Sequence, residues 1–137
     1  MFKIREIDHV VLRIEDTAAV LKFYVDVLGC HVEKRQDDLG LIQLRAGASL
    51  IDLVPVDGVL GKQGGAAPAE QARNMDHFCL RVEPFNEREI LQHLASHGIE
   101  AEPAAPRYGA EGMGPSIYVS DPQGNVVELK GPPDSGE

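Results

Sequence analysis

A short segment near the start of the chain recurs about half a chain later. Asp8–Glu15 reads DHVVLRIE and Asp76–Glu83 reads DHFCLRVE, in a chain of 137 residues. The Asp, His, Leu, Arg and Glu positions recur at the same spacing, and the positions between them stay apolar. Repeats of about 20–50 residues indicate solenoids or propellers. A single duplication with a period near half the chain instead favours two equivalent modules.

Each copy alternates in the manner of a half-buried β-strand. In the first copy, Val10, Leu12 and Ile14 fall on one face, and His9 starts the other, more polar face. In the second copy His77 holds the corresponding position. The two histidines are therefore expected to be presented by equivalent strands in the same way.

The rest of each copy predicts one helix and three further strands, which gives a βαβββ order. Capping residues and terminal glycines bound the helices, predicted from Asp16 or Thr17 to about Leu28 and from Glu87 to about His97 after a cap at Asn86. The predicted hairpin strands are 31–35, 39–45, 48–54, 99–102, 116–120 and 125–130. The sequence predicts an α+β fold in one domain (1–137), divided into a first module (5–56), a linker (57–73), a second module (74–131) and a flexible tail (132–137).

Composition excludes several functional classes. The chain carries 13 Lys plus Arg against 22 Asp plus Glu, a net charge of −9, without the clustered basic residues that nucleic-acid binding needs. No apolar run approaches the length of a membrane span, and the first residues lead directly into a strand without the pattern of a signal peptide. Two cysteines, Cys30 and Cys79, are too few for a disulfide framework. We expect a cytoplasmic protein that does not bind nucleic acid or membranes.

The last strand of each module carries an acid between apolar residues: Asp52 in SLIDLV and Glu128 in NVVEL. An ionised carboxylate in such a strand needs a cation or hydrogen bonds to compensate its burial. Together with His9 and His77, these acids provide two imidazole nitrogens and two carboxylate groups, a set suited to nickel, cobalt, zinc, manganese or iron. We predict that the four side chains bind one divalent metal ion per site, with positions left open for a substrate.

The chain resembles the vicinal oxygen chelate superfamily, which includes glyoxalase I, bleomycin-resistance proteins and extradiol dioxygenases. The segments that carry the resemblance are IDHVVL (7–12), FYVDVLG (23–29), MDH (75–77) and SIYVSDPQGNVVEL (116–129). The resemblance implies that two βαβββ modules form a metal-binding cleft and that the protein is a homodimer. Family ligands correspond here to His9, His77 and Glu128, and the glyoxalase type has a Glu where this chain has Asp52.

Three functions remain open at this point, besides a fosfomycin-type thiol or water transfer that ranks below the first two. A glyoxalase-like lyase or isomerase would act on a small substrate with vicinal oxygens, with Glu128 as general base and Asp52 as its symmetry-related catalytic partner. A ferrous extradiol-type dioxygenase would need only His9, His77 and Glu128 as a facial triad. A metal-free protein that binds a drug or metabolite, like the bleomycin-resistance relatives, would not need all four, so the complete set argues against this class.

Three further residues are predicted to bind the substrate. Arg13 and Arg107 would contact an anionic substrate, and Tyr108 would join Arg107 in the contact. The segment 103–115 is rich in Pro and Gly, a composition typical of a mobile loop, and we expect it to act as a lid.

Overall fold

The computed structural model describes residues 1–134 and divides the chain after Asn74 into two compact units. Residues 135–137, the end of the predicted tail, lie outside the described part. No helix within residues 1–134 is both long enough and apolar enough to cross a membrane.

The first unit follows the predicted β-α-β-β-β order. Asp16 caps the helix, as one of the two expected residues, by accepting a hydrogen bond from the Ala19 backbone N–H. The last residues of the predicted helix widen into a π-helical turn, and Gly29 follows at φ +84°, a left-handed conformation that suits glycine. The elements are β1 (His9–Ile14), α1 (Thr17–Lys22) with its π-helical continuation (Phe23–Val27), β2 (His31–Gln36), β3 (Leu41–Ala46) and β4 (Ser49–Pro55).

The four strands of this unit form one mixed sheet in the order β1-β4-β3-β2. β1 pairs in parallel with β4, so that Val11 lies beside Asp52. The predicted apolar face forms the core, which includes Leu12 and Ile14 from β1, Val20, Phe23, Tyr24 and Val27 from the helical segment, and Ile42, Leu44, Ile51 and Leu53 from β3 and β4. The opposite face carries the polar residues of the candidate site.

The second unit repeats this topology with the strand order β5-β8-β7-β6. β5 pairs in parallel with β8 and places Cys79 beside Glu128. Asn86 caps the helix through the Glu89 N–H, as predicted. The elements are β5 (Phe78–Arg81), α2 (Glu87–Ser96), β6 (Ala105–Gly109), β7 (Gly112–Ser120) and β8 (Val126–Lys130). The predicted α+β fold of two βαβββ modules is therefore confirmed.

Two predictions in the second unit are wrong. Residues 99–102 form no strand, and the segment 103–115, expected to be a mobile loop, contains β6 and the start of β7. The two strands pair in register from Ala105 with Ser116 to Gly109 with Gly112, and only two residues connect them. β6 lies at the edge of its sheet, where a strand tolerates a proline such as Pro106.

Arg13 makes several of the contacts that hold the segment after β4, in addition to a backbone hydrogen bond from the Leu60 N–H to the Leu39 carbonyl. It contains a 3₁₀ turn at Gly61–Gly64. The Arg13 guanidinium donates hydrogen bonds to the carbonyls of Gly61, Gly65 and Ala66 at 2.7–3.0 Å. A Cβ at Gly64 would lie 2.4 Å from Arg13 Nε, so glycine leaves the space that this side chain occupies.

Candidate metal and substrate site

The first unit brings His9 close to Asp52. The His9 Nδ1 lies 2.7 Å from an oxygen of the neighbouring Asp8, and its Nε2 lies 3.9 Å from Asp52 Oδ2. The His9 side chain is 45% exposed, whereas that of Asp52 is only 6% exposed. The predicted histidine and carboxylate of this module therefore face each other on the polar side of the sheet.

A neighbouring amide also contacts Asp52. Gln43 lies opposite Asp52 in the β3–β4 register, and its Nε2 donates to both carboxylate oxygens at 3.3 and 3.4 Å. This contact compensates part of the cost of burying the acid. Asp52 is thus shared between an amide and a histidine.

The second unit brings His77 and Glu128 together more closely. The His77 Nδ1 lies 2.6 Å from an oxygen of Asp76, and its Nε2 lies 3.3 Å from Glu128 Oε1. The His77 side chain is 33% exposed and that of Glu128 is 9% exposed. The arrangement of the first unit is repeated here with a shorter separation.

An aromatic ring replaces the amide in the second unit. Tyr118 lies opposite Glu128 in the β7–β8 register and contacts His77 edge-on, with ring centroids 5.3 Å apart and an interplanar angle of 87°. The Arg107 guanidinium lies 4.3 Å from the centre of the Tyr118 ring and donates to the carbonyl and hydroxyl of Ser116 at 2.8 Å. The predicted substrate residue Arg107 is therefore held on the polar face of the sheet near His77.

The chemistry of each pair fits a divalent cation. A carboxylate only accepts hydrogen bonds, so the contact with Asp76 places a proton on His77 Nδ1. In the neutral imidazole the Nε2 lone pair then faces Glu128, an arrangement of two acceptors 3.3 Å apart that suits a bound cation, whereas a protonated Nε2 would form an ion pair with the carboxylate. Metal-binding histidines commonly use the other ring nitrogen to bind a carboxylate in this way.

Each pair alone is a small donor set. Within residues 1–134, no group of three or more His, Cys, Asp or Glu side chains is placed to hold a metal ion. His9 with Asp52 and His77 with Glu128 each provide one nitrogen and one carboxylate, whereas zinc sites in proteins use three or four ligands. A complete site of the predicted kind therefore requires both pairs.

The surroundings of His9 also favour a positive charge. The hydrogen bond to Asp8 raises the pKa of His9, and the charges of Asp52 and Asp8 act in the same direction against the opposing effect of burial. Because a proton and a metal ion compete for the same nitrogen, metal binding at this residue is expected to weaken as the pH falls.

The other two predicted substrate residues have different positions. The Arg13 guanidinium contacts the three carbonyls of the segment after β4. Tyr108 is 80% exposed and lines a cavity of about 250 Å³ in the second unit. The same cavity is lined by Cys79, Arg81, Glu111, Glu128 and Lys130. Tyr108 is thus near one predicted ligand, Glu128.

The cavity contains a buried cation that the sequence analysis did not identify. Lys130 is only 6% exposed, and its ammonium donates to the carbonyls of Arg107 and Gly114 at 2.6 and 3.2 Å. A lysine at the end of a strand is usually solvated. The one available signal is its spacing: Lys130 is two residues after Glu128 and so shares its face.

Cys79 also lines this cavity, and its thiol is unreactive near neutral pH. Cys79 is exposed as a residue, but the groups packed around its thiol desolvate it and raise its pKa from 9.0 to about 11; the Glu128 carboxylate adds to the increase, and the Lys130 ammonium opposes it. Because the thiolate is the reactive form, this cysteine is not poised as a nucleophile near neutral pH.

Comparisons with known proteins agree with the fold of two βαβββ modules. The family described as the Glyoxalase/Bleomycin resistance protein/Dioxygenase superfamily matches residues 6–129. Virulence protein STM3117 of Salmonella typhimurium is 30% identical over 128 residues, which cover 92% of this chain and 83% of that protein. An integron cassette protein from the mobile metagenome of V. cholerae aligns with a TM-score of 0.75 and 27% identity, over 96% of this chain and 98% of the other.

A solved lactoylglutathione lyase from Agrobacterium tumefaciens shares the fold, with a TM-score of 0.66 and 22% identity over 92% of each chain. The family match extends from just before β1 to Leu129 in β8, so its range includes both histidine–carboxylate pairs. The chain belongs to the Glyoxalase/Bleomycin resistance protein/Dioxygenase superfamily.

Proposed function

We propose that the protein is a divalent-metal-dependent, glyoxalase-like lyase or isomerase that acts on a small substrate with vicinal oxygens. The observation that carries the proposal is the His77–Glu128 pair, with Nε2 3.3 Å from Oε1 and Nδ1 bound to Asp76. The same arrangement of His9, Asp8 and Asp52 in the other module supports it. The proposed ligands are His9, Asp52, His77 and Glu128 for one ion of nickel, cobalt, zinc, manganese or iron.

The chain's own residues would hold and move the proton. A bound divalent cation would act as a Lewis acid toward two adjacent substrate oxygens. The Glu128 carboxylate would take a proton from the carbon beside a carbonyl and return it to the neighbouring carbon, with Asp52 as its symmetry-related partner. Such an isomerisation leaves atoms and electrons balanced without a further reactant.

Three residues would orient the substrate. The Arg107 guanidinium, fixed by Ser116 and Tyr118, lies on the same face as the second pair. Exposed Tyr108 lines the cavity that Glu128 also lines. Arg13 stays a predicted substrate ligand, and binding there would have to compete with its hydrogen bonds to three carbonyls.

One observation favours a ferrous extradiol-type dioxygenase as the second candidate. The His9–Asp52 separation of 3.9 Å exceeds the 3.3 Å of the other pair, and Gln43 occupies both oxygens of Asp52. Without Asp52, the remaining His9, His77 and Glu128 are the two histidines and one carboxylate of a facial triad. The role of Asp52 therefore distinguishes the two enzymes.

Elemental analysis of the purified protein tests the proposal. The wild type is compared with His77→Ala, Glu128→Ala and Asp52→Ala, with exposed His31→Ala as the matched control. The lyase or isomerase predicts one divalent metal per site in the wild type and control, and its loss in all three site variants. Iron retained only in Asp52→Ala among the three would favour the dioxygenase. No metal after reconstitution would leave a metal-free binding protein.

Turnover measurements add an independent result. Methylglyoxal with and without a thiol, and a catechol with oxygen, represent the substrates of the two enzyme classes. Isomerisation without oxygen uptake supports the first proposal, and oxygen uptake supports the second. The homodimer and the cytoplasmic location also stay predictions, which analytical ultracentrifugation and cell fractionation would test.

A further inference from the structure

Lys130 is a buried cation whose charge the described residues leave without an ionic partner. Its side chain is packed away from water, with 6% of the residue exposed. Its two acceptors are neutral carbonyls, and it forms no ion pair with a residue in the range 1–134. An ammonium has three donors, so these contacts leave one N–H of Lys130 available to a ligand.

The surroundings of Lys130 provide space for its side chain. A Cβ at Gly109 would lie 2.5 Å from Lys130 Cε and 3.0 Å from its Cδ. A side chain at this position would therefore displace the ammonium. Glycine at 109, together with the Gly114 carbonyl that accepts from Nζ, holds the lysine in one position across the sheet.

The duplication shows that this cation is specific to the second module. Lys130 lies beside Arg81 in the β5–β8 register, and the corresponding neighbours in the first module are Arg13 and Val54. The core of the fold therefore accepts an apolar residue at this position. A buried charge is costly where nothing requires it, which indicates a role other than stability for Lys130.

The three cations named on this face, Arg81, Arg107 and Lys130, equal the three acids near it in number, but two of the acids contact the same arginine. Arg81 is neutralised by Glu111 at 2.6 Å and by Glu83 at 2.9 Å. Arg107, which donates to Ser116, forms no ion pair within the described residues. Of the acids named here, Glu128 is the one that does not contact Arg81, so Lys130 and Arg107 have no carboxylate bound to them within the described residues.

We propose that Lys130 binds a carboxylate of the substrate, so that the substrate is a small oxyacid with vicinal oxygens near Glu128 and an anionic group beside Lys130. This inference rests on the proposed function, and it adds the substrate class. The cavity of about 250 Å³ has the volume of about eight water molecules. A carboxylate group carries one negative charge and matches one ammonium, whereas a phosphate dianion beside Lys130 would add surplus negative charge near Glu128.

Strand geometry limits the length of this substrate. Residues two apart on a strand are about 7 Å apart, so the vicinal oxygens and the carboxylate are separated by only a few bonds. A four-carbon hydroxy acid has these dimensions. L-malate is a suitable probe because its 2-hydroxyl and C1 carboxylate are vicinal oxygens and its C4 carboxylate would reach Lys130. Its C4 amide is the neutral control.

Calorimetric titration of the metal-loaded protein tests the assignment. We expect the wild type to bind L-malate roughly tenfold or more tightly than its C4 amide, the size of one charge-assisted hydrogen bond. Lys130→Met should lose this preference and keep the metal content, while Lys34→Met on the exposed strand β2 should retain both. An unchanged preference in Lys130→Met, or no preference in the wild type, would overturn the proposal.

Two further measurements keep the test independent of folding and of the metal. Gly109→Ala retains the charge of Lys130 but crowds its side chain, and it should also lose the preference. In the chelator-treated protein, L-malate should shift the ¹⁵N NMR signal of Lys130 Nζ and its C4 amide should not. This shift would support the carboxylate site even if the protein could not be loaded with metal. A failure of metal loading would contradict only the proposed function. If the protein binds metal but L-malate does not shift the Lys130 signal, only the carboxylate site is contradicted.

Discussion

The two modules present the same kind of histidine–carboxylate pair with different neighbouring residues. In the first, His9 and Asp52 are 3.9 Å apart and an amide, Gln43, shares the acid. In the second, His77 and Glu128 are 3.3 Å apart, and the Tyr118 ring lies against the histidine. Duplication therefore preserved the donor atoms and changed the residues around them. The shorter histidine–carboxylate distance indicates that the pair of the second module would hold a metal ion more tightly than the pair of the first module.

Exchanging the side-chain lengths of the two acids, Asp52 and Glu128, should have the largest effect on metal affinity. Glu128→Asp withdraws the carboxylate by one methylene, and we expect metal affinity to fall about 100-fold, at the upper end of what the loss of an outer-shell partner costs. Asp52→Glu extends the other acid and should preserve or increase affinity. Competition titrations with a chelator measure both. Equal losses in the two variants would show that the modules contribute alike.

Removal of the two orienting acids should have the next largest effect. Asp8 and Asp76 each accept a hydrogen bond from the Nδ1 of the following histidine, at 2.7 and 2.6 Å. Asp8→Asn and Asp76→Asn should each weaken metal binding about 10–100-fold. The matched control is exposed Asp37→Asn in the β2–β3 connection. Variants indistinguishable from the wild type would mean that these contacts do not orient ligands.

Cys79 distinguishes the two modules, because it lies beside Glu128 whereas the first module has Val11 at the same register position beside Asp52. The alkylation rate of Cys79 should rise with pH toward an inflection at about 11. Glu128→Gln removes a negative charge that raises this pKa, so the inflection should move downward. The measurement is made in the metal-free protein with a neutral alkylating reagent. An inflection near 9.0 in the wild type would contradict the raised pKa of this thiol.

The smallest effect concerns the stability contributed by His9. Asp8 raises its pKa in the folded protein, so the stabilisation is present at pH values below the unfolded-state pKa and is lost as pH rises through the folded-state pKa. In the metal-free protein, Asp8→Asn should lower the pKa of His9 and cost less than about 1 kcal/mol at about pH 5.5. The cost should vanish near pH 8. NMR titration and urea unfolding measure the two quantities.

The sequence predicted the fold from its repeat, since both sheets adopt the same strand order. The histidines and acids that lie close together in each module were also named from the sequence, because an acid between apolar strand residues is unusual; their role as metal ligands stays a prediction. The strand β6 was missed because Pro106 and Gly109 weaken its pattern, and it is formed by a tight hairpin at the sheet edge.

The partners of the site residues could not be predicted from local pattern. Gln43 and Tyr118 reach the acids through pairing with neighbouring strands. The burial of Lys130 depends on the absence of a side chain at Gly109, more than twenty residues away in sequence but adjacent in space. The pairing of strands that are distant in sequence determines which polar residues come into contact.

Removal of whole pairs tests most directly whether the two modules jointly hold one metal ion. Metal stoichiometry and affinity are measured for the wild type, for His9→Ala with Asp52→Ala, and for His77→Ala with Glu128→Ala. The account predicts one ion per site in the wild type and loss of tight binding in both double variants, because neither pair alone supplies three ligands. Full metal binding in either double variant would contradict a site shared between the modules.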